Sequence, residues 1–330
     1  GDLETYLASQ CRCGLIHGPI MDKATVIIPC YNVEAYILDC LDSVVLQGDV
    51  VHHTYVVDNN STDDTVDKVR EWQNVNPNFG LTLLSETKPG APAARNLPLN
   101  RVETKWIQFL DADDILLREK IEDQVRNYHK GDVICAGFQR VSLRGEKTPA
   151  LPNPNIPLAL IQGAAGITSS NLFSTRSIKS VKGWDETLMS SQEYDLMFRI
   201  WQTGAEFDVD LKPRAIVRAR EYGQISQQNP TEKWTRFIDL RMKMLGSMGN
   251  SLTNPYEKEE ILQSIFDFVR ILFPFDHRKA TSIYRELRAK GLEPKRSATS
   301  SWKYIIVMRI FGFYLTEKIL TILRPKQQPF

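Results

Sequence analysis

From Ala24 onward, short apolar runs alternate with segments whose apolar residues recur at helical spacing. "ATVIIP" (24–29) is a β-branched run closed by Pro29 and predicts a buried strand. Asn32 stands where it can cap a helix carrying Tyr36, Leu41, Val44 and Val45 on one side. "HTYVVD" predicts a second strand, followed by a helix capped by Ser61 with Asp63 and Asp64 in its first turn, where the helix dipole favours acids. "LTLLS", "KWIQFLD" and "GDVICAG" predict three further strands. Strands separated by helical segments imply βαβ units and a mainly parallel sheet.

Residues 141–166, rich in Pro and Gly ("TPALPNPNIPLAL"), predict a long surface excursion. "TSSNLFS" restores a strand, and "SQEYDLMFRIWQTG" predicts a helix ending at Gly204. After about Gln228 no strand pattern remains. Residues 231–290 predict successive amphipathic helices, and 301–323 a final, strongly apolar one. The expected layout is an α/β domain over 22–228 and a helical C-terminal region over 229–330, with residues 1–21 a leader or expression remnant.

The 330 residues are 42% hydrophobic and 25% charged, ordinary globular composition with ample core material. A net charge of +1 gives no electrostatic case for a nucleic-acid partner. Cys11, Cys13, Cys30, Cys40 and Cys135 are odd in number and scattered, which favours a reducing, cytoplasmic setting over a disulfide framework. Cys11, Cys13 and His17 lack a second cluster to complete a tetrahedral zinc set.

In open parallel α/β sheets, ligands bind beyond the carboxyl ends of the strands. Those ends deliver Pro29, Tyr31 and Asn32, then Asp58 and Asn59, then Asp111, Ala112 and Asp113. An aromatic ring, amide and carboxylate groups, and a carboxylate pair suit a nucleoside diphosphate with a divalent cation. Asp-x-Asp alone arises by chance about once in a chain of this size. Its place directly after a buried strand is what gives it weight. No Gly-rich turn follows the first strand, which disfavours a dehydrogenase and a sugar-1-phosphate nucleotidyltransferase.

"VIIPCYN", "VVDNNSTDDT", "GAPAARN", "WIQFLDADD" and "QEYDLMFRI" occur in the order and approximate spacing of family 2 glycosyltransferases, and the resemblance covers about residues 24–226. It implies a GT-A fold and an inverting, hexosyltransferase-type enzyme. Such an enzyme moves a sugar from a nucleoside-diphosphate sugar, a UDP-sugar foremost, to a saccharide or lipid-linked acceptor in surface polysaccharide synthesis. By the same resemblance Asp111 contacts the ribose or donor sugar and Asp113 ligates Mn²⁺ or Mg²⁺. Arg95 lies near the diphosphate, Trp184 and Asp185 of "GWDE" face the acceptor, and Glu193 is the general base. Three departures motivate the alternative of a degenerate domain that binds nucleotide or glycan without transfer. Gln192 stands where the family usually has an acid, Asn59 where many members have Asp, and Tyr222 of "AREYGQIS" where many have His.

Lys303, Arg309, Lys318, Arg324 and Lys326 punctuate the apolar C-terminal segment, against one acid, Glu317. Arg309 disfavours a spanning helix. Two roles remain open for the segment: lying on an anionic membrane surface at the cytoplasmic face, or packing on the catalytic domain or a second subunit of a homodimer.

Overall fold

A computed structural model describes residues 22–128, 130–219, 230–249, 252 and 254–323. Expectations for 1–21 with Cys11, Cys13 and His17, for Tyr222, and for Arg324 and Lys326 lie outside the described residues. The strands are β1 Ala24–Cys30, β2 Val51–Asp58, β3 Leu81–Ser85, β4 Trp106–Phe109, β5 Ile115–Leu116, β6 Val133–Val141, β7 Lys147–Ala150, β8 Leu172–Ser174 and β9 Phe207–Arg218. The helices of the sheet region are α1 Ile37–Val45, α2 Thr65–Val75, α3 Ala91–Asn96, α4 Lys120–Asn127, α5 Ile156–Gln162, α6 Thr175–Ser180 and α7 Gln192–Gln202. Four more follow: α8 Pro230–Met248, α9 Pro255–Leu272, α10 His277–Ala289 and α11 Trp302–Leu323.

All strands join one sheet in the order β3-β2-β1-β4-β8-β6-β9-β5, with β7 on β6. β1 pairs in parallel with β2 and β4, β2 with β3, and β6 with β9. β8 is inserted antiparallel between β4 and β6. The α/β class, the mainly parallel direction and the helical C-terminal region are as the periodicity predicts.

β1 shows why the pattern works. Val26 and Ile28 face α1 and α2 in a core with Ile37, Leu41, Val56, Val69 and Trp106. Ile27, pointing the other way, joins Ile107, Phe109, Val133 and Phe173. Both faces are covered, so the strand reads as a continuous apolar run. β4 pairs with β1 only as far as Ile27↔Phe109, so Pro29 stands past that ladder, where its missing N–H is tolerated. The second core continues without a break into α8–α11 through Ile238, Met244, Ile261, Phe266, Leu287 and Phe313.

The structure corrects several local expectations. Asn32 has φ 49° and is no cap; α1 begins at Ile37 after Tyr36. Ser61 does not cap α2, whose N-terminal residue Thr65 instead donates its N–H to Asp63 Oδ1 at 3.1 Å. Within 141–166 lie β7 and the buried helix α5, with Leu158, Ala159, Leu160 and Ile161 in the core. The Pro and Gly there are helix punctuation: Asn155 Oδ1 caps Leu158 N–H at 2.9 Å, Pro157 sits in the first turn, and Gly163 closes the helix at φ 72°. β9, absent from the prediction, runs beside β6 with register shifts around Gly137. "TSSNLFS" is strand only over 172–174, because Ser169, Ser170 and Asn171 are buried in a polar network instead.

Candidate active site

The loops after β1 and β2 are tied to each other. Asn32 N–H donates to Ser61 Oγ at 3.1 Å, and Thr62 N–H donates to Asn32 Oδ1 at 2.8 Å. Glu34 N–H donates to Asp63 Oδ2 at 3.1 Å while Asp64 N–H donates to Glu34 Oε2 at 3.0 Å. Asp58 Oδ1 receives Ser61 N–H at 3.2 Å, so this carboxylate is oriented by the turn it opens. Tyr31 is 52% exposed at the rim, beyond the half-buried Pro29.

Asn59 does something sequence reasoning did not foresee. Its Nδ2 donates to Glu86 O and Lys88 O, both at 2.8 Å, and its Oδ1 receives Gly90 N–H at 2.7 Å. Both Nδ2 hydrogens and one of the two Oδ1 lone pairs are engaged in stapling the 86–90 loop, which leaves one acceptor position on Oδ1.

The acidic run after β4 resolves into three different carboxyls. Asp111 accepts from Arg95 Nη2 at 2.5 Å, and its N–H donates to Ser169 Oγ at 3.2 Å. Asp113 is half-buried, and its carbonyl receives Arg218 Nε at 2.8 Å. Asp114 is buried and accepts from Ser169 Oγ at 2.6 Å. Burial, with the charges of Asp111 and Asp113, holds its carboxyl well above the usual range, opposed by the Ser169 hydrogen bond and the charge of Arg218. Ala112 between them is buried.

Arg95, on α3, is buried and central. Beyond Asp111 it reaches Gln192 Oε1 at 3.5 Å, and its guanidinium lies 4.4 Å over the Trp184 ring. Trp184 itself is 3% exposed, edge-on to Phe109 at 5.1 Å. That corrects the expectation that Trp184 faces the acceptor: Arg95 and Phe109 cover the ring, and Trp184 supports the arginine. Asp185 is held by Thr187, whose N–H and Oγ1 donate to Oδ1 at 2.9 and 2.6 Å; these bonds keep its carboxyl below the usual range. The loop needs Gly183 (φ 74°), where a Cβ would lie 2.4 Å from Asn96 Oδ1.

Glu193 opens α7. Its Oε1 is buried with no hydrogen-bond partner, although the residue as a whole is half-buried. Burial, then the charge of Asp111, pushes the carboxyl up to about 8, opposed by Arg95 and by hydrogen bonds with Thr168. A carboxyl poised near neutrality, with an unpartnered buried oxygen beside Arg95 and Asp111, has the properties of a general base. Asp195, one turn on, is buried and paired with Arg199 at 2.7 Å, which leaves it no such role. Arg199 also donates to Val181 O and Gly183 O, each at 2.9 Å, and so anchors the "GWDE" loop to α7.

Two further residues contribute that sequence reading missed. Arg218, at the end of β9, bonds Asp113 O and pairs with Asp39 at 2.6 Å, bracing the acidic loop against α1. Its signal was weak, because charges interrupt β9. Arg241 of α8 is buried, with Nε donating to Ile161 O at 3.2 Å and its guanidinium 5.2 Å over the Tyr194 ring. Tyr194 Oη in turn donates to Gly166 O at 3.0 Å and receives Ala165 N–H at 3.1 Å, in the loop that leads to Thr168.

Among the described residues no group of three His, Cys, Asp or Glu side chains is arranged to hold a metal ion. The donor set present is hard oxygen, of the kind Mg²⁺ and Mn²⁺ prefer when phosphate oxygens complete the shell.

Solved glycosyltransferases share this architecture. Staphylococcus aureus TarS 1–349, crystallised with UDP-GlcNAc, superposes with TM-score 0.60 over 92% of this chain and 93% of its own, at 18% identity. The mannosyltransferase PcManGT from Pyrobaculum calidifontis, in complex with GDP-Man and Mn²⁺, gives TM-score 0.54 over 94% and 89%, at 17% identity. The fold is thus that of GT-A glycosyltransferases. Residues 25–189 match the model for glycosyl transferase family 2, and the chain belongs to that family. Bacillus subtilis (strain 168) TuaG, named for teichuronic acid biosynthesis, is 35% identical over 101 residues, covering 31% of this chain and 40% of its own. TarS from S. aureus (strain Mu50), a poly(ribitol-phosphate) β-N-acetylglucosaminyltransferase, is 32% identical over 129 residues, or 38% and 22%. The chain therefore spans well under two thirds of these relatives' length.

Proposed function

We propose that this chain transfers a glycosyl group, with inversion, from a nucleoside-diphosphate sugar to a hydroxyl of a saccharide or lipid-linked acceptor in surface polysaccharide synthesis. The observation that carries the reading is the placement of Glu193. Its buried carboxyl, raised to about 8, lies within electrostatic reach of Arg95 and Asp111 beyond the strand ends. Glu193 Oε1 accepts the acceptor's hydroxyl proton as that oxygen attacks the anomeric carbon. The bond from that carbon to the diphosphate oxygen breaks, and the nucleoside diphosphate departs with the electron pair. Asp111, fixed by Arg95, orients the ribose or donor sugar, while Asp58 and the exposed Tyr31 line the nucleoside end. Asp113, braced through Arg218, would hold Mg²⁺ or Mn²⁺, which neutralises charge on the leaving diphosphate. Asp185 lies on the acceptor side. TarS, crystallised with UDP-GlcNAc and named a poly(ribitol-phosphate) β-N-acetylglucosaminyltransferase, and TuaG, named for teichuronic acid biosynthesis, support a UDP-sugar donor and a surface-polymer acceptor.

The test is a panel of UDP- and GDP-sugars with Mn²⁺, scored for release of nucleoside diphosphate with and without poly(ribitol phosphate) and related acceptors. Acceptor-stimulated release from at least one donor is expected. Nucleotide binding without turnover for any pair would favour the degenerate, binding-only reading instead.

A further inference from the structure

The C-terminal helix α11 is apolar on two sides, and only one of them is covered. Tyr304, Ile305, Met308 and Phe313 are buried against α9 and α10. A buried ion pair fixes that face: Arg270 Nε donates to Glu317 Oε1 at 2.6 Å, and the same guanidinium lies 3.6 Å over the Tyr304 ring. Packing on the protein is therefore one real role of this segment. α11 is kinked at Gly312 (φ 77°, ψ 163°) into two helical halves. Away from the packed side the first half carries Ile306, Ile310 and Phe311 and the second Leu315, Ile319 and Ile322, all exposed, Ile310 to 68% and Ile322 to 75%. A helix that is apolar all round is normally covered all round, and contiguous exposed patches of this kind mark docking surfaces.

Charge selects the occupant. Lys303, Arg309 and Lys318 are the exposed charged residues of α11, and its only acid, Glu317, is buried on Arg270. The neighbouring α10 adds exposed Arg278, Arg285 and Arg288 against the single acid Glu286, which pairs with Lys290 at 3.6 Å. A two-fold dimer across this face would set the same cations against one another with no carboxylate on α11 to meet them. An anionic lipid surface supplies the missing charge and an apolar boundary together. Trp302 and Tyr314, both exposed on this helix, are residue types that favour such boundaries. No helix among the described residues is long and apolar enough to cross a membrane, so the arrangement is one of lying on the surface.

We propose that the outer face of α11 seats this protein on an anionic phospholipid bilayer, with Ile306, Ile310, Phe311, Leu315, Ile319 and Ile322 in the lipid boundary and Lys303, Arg309 and Lys318 on the headgroups.

The experiment is co-sedimentation of the full chain with vesicles of phosphatidylcholine alone or mixed with phosphatidylglycerol, with light scattering of the free protein in parallel. The protein pellets with the mixed vesicles, less so in high salt, and stays in solution with the neutral ones. Ile310→Glu with Phe311→Glu abolishes pelleting and leaves the melting temperature unchanged, since both side chains are exposed. Lys303→Gln, Arg309→Gln and Lys318→Gln together weaken vesicle affinity on the order of 100-fold, at about fivefold per charge. Absence of pelleting with anionic vesicles overturns the proposal. So does equal pelleting of the Ile310→Glu, Phe311→Glu variant, or a dimer that this variant dissolves in a protein without vesicle affinity. These readouts are independent of sugar transfer, so the binding result stands whatever the activity assays show.

Discussion

Arg95 and Asp111 form a 2.5 Å ion pair in which the arginine side chain is buried and the carboxylate is partly open to the crevice. The pair fixes Asp111, while the same guanidinium reaches Gln192 and lowers the proton affinity of Glu193. Arg95→Met removes that opposing charge, so the acid limb of the kcat/KM–pH profile moves to higher pH and transfer at neutral pH falls by about tenfold or more. Arg95→Lys keeps a charge but cannot fork between Asp111 and Gln192, and rescues the pH profile better than the rate.

Glu193→Gln should reduce transfer about 10²–10⁴-fold and leave donor binding near normal. It also changes stability in a defined window. The Glu193 carboxyl rises from 4.5 to about 8 on folding, so its neutral form is favoured in the native state. Its contribution is fully present below pH 4.5 and is lost as pH rises through 8. The glutamine variant therefore unfolds like the parent near pH 4 and is more stable above pH 8, by an amount on the order of several kcal/mol. Urea denaturation at both pH values checks this.

Asp113→Ala should remain folded, because the side chain is half-buried at the crevice and outside both apolar cores. Thermal stabilisation of the parent by UDP with Mn²⁺ follows from binding to the native state alone. The variant should lose the Mn²⁺-dependent part of that shift, and chelator should have no further effect on it.

Asn59→Asp restores the residue many family members carry, yet here it should destabilise. The change replaces two donors by an oxygen facing Glu86 O and Lys88 O, and leaves the Gly90 contact intact. A loss of about 1–3 kcal/mol in urea denaturation is expected. An unchanged midpoint would show that the 86–90 loop rearranges freely.

Arg270→Ala strands the buried Glu317 carboxylate and should cost about 3–5 kcal/mol. Replacing both partners, Arg270→Met with Glu317→Leu, should return most of that stability. Chemical denaturation of the single and double variants measures the difference.

The strands on either side of β1 were legible because each contains a short β-branched or aromatic run, β4 buried on both faces and β2 buried at Thr54, Val56 and Val57. β9 was hidden because Asp208, Asp210, Lys212 and Arg214 interrupt it. Their charges are absorbed partly within the strand, where Arg214 pairs with Asp210 at 2.5 Å, and partly far along the chain, where Arg214 meets Asp123 at 2.8 Å. Helix α5 was hidden for the opposite reason, since "IPLALIQ" is apolar throughout and shows no period. At the site, sequence supplied the acids of the crevice but not their states. That the Asp114 carboxyl is raised depends on its burial beside Asp111 and Asp113, and that Trp184 is covered depends on Arg95, contacts no local pattern encodes.

Arg241 projects from the helical region to the ring beside Glu193, and Ile238 and Phe266 lie in the same core as Ile27 and Phe109. The chain is therefore not divisible into exchangeable modules at the passage from Arg218 to Pro230. A chimera joined there would bring foreign helices against α5 and α7 and remove the guanidinium beneath Tyr194. Recombination that transplants acceptor recognition between relatives must carry α5, α7 and α8 together as one inherited block.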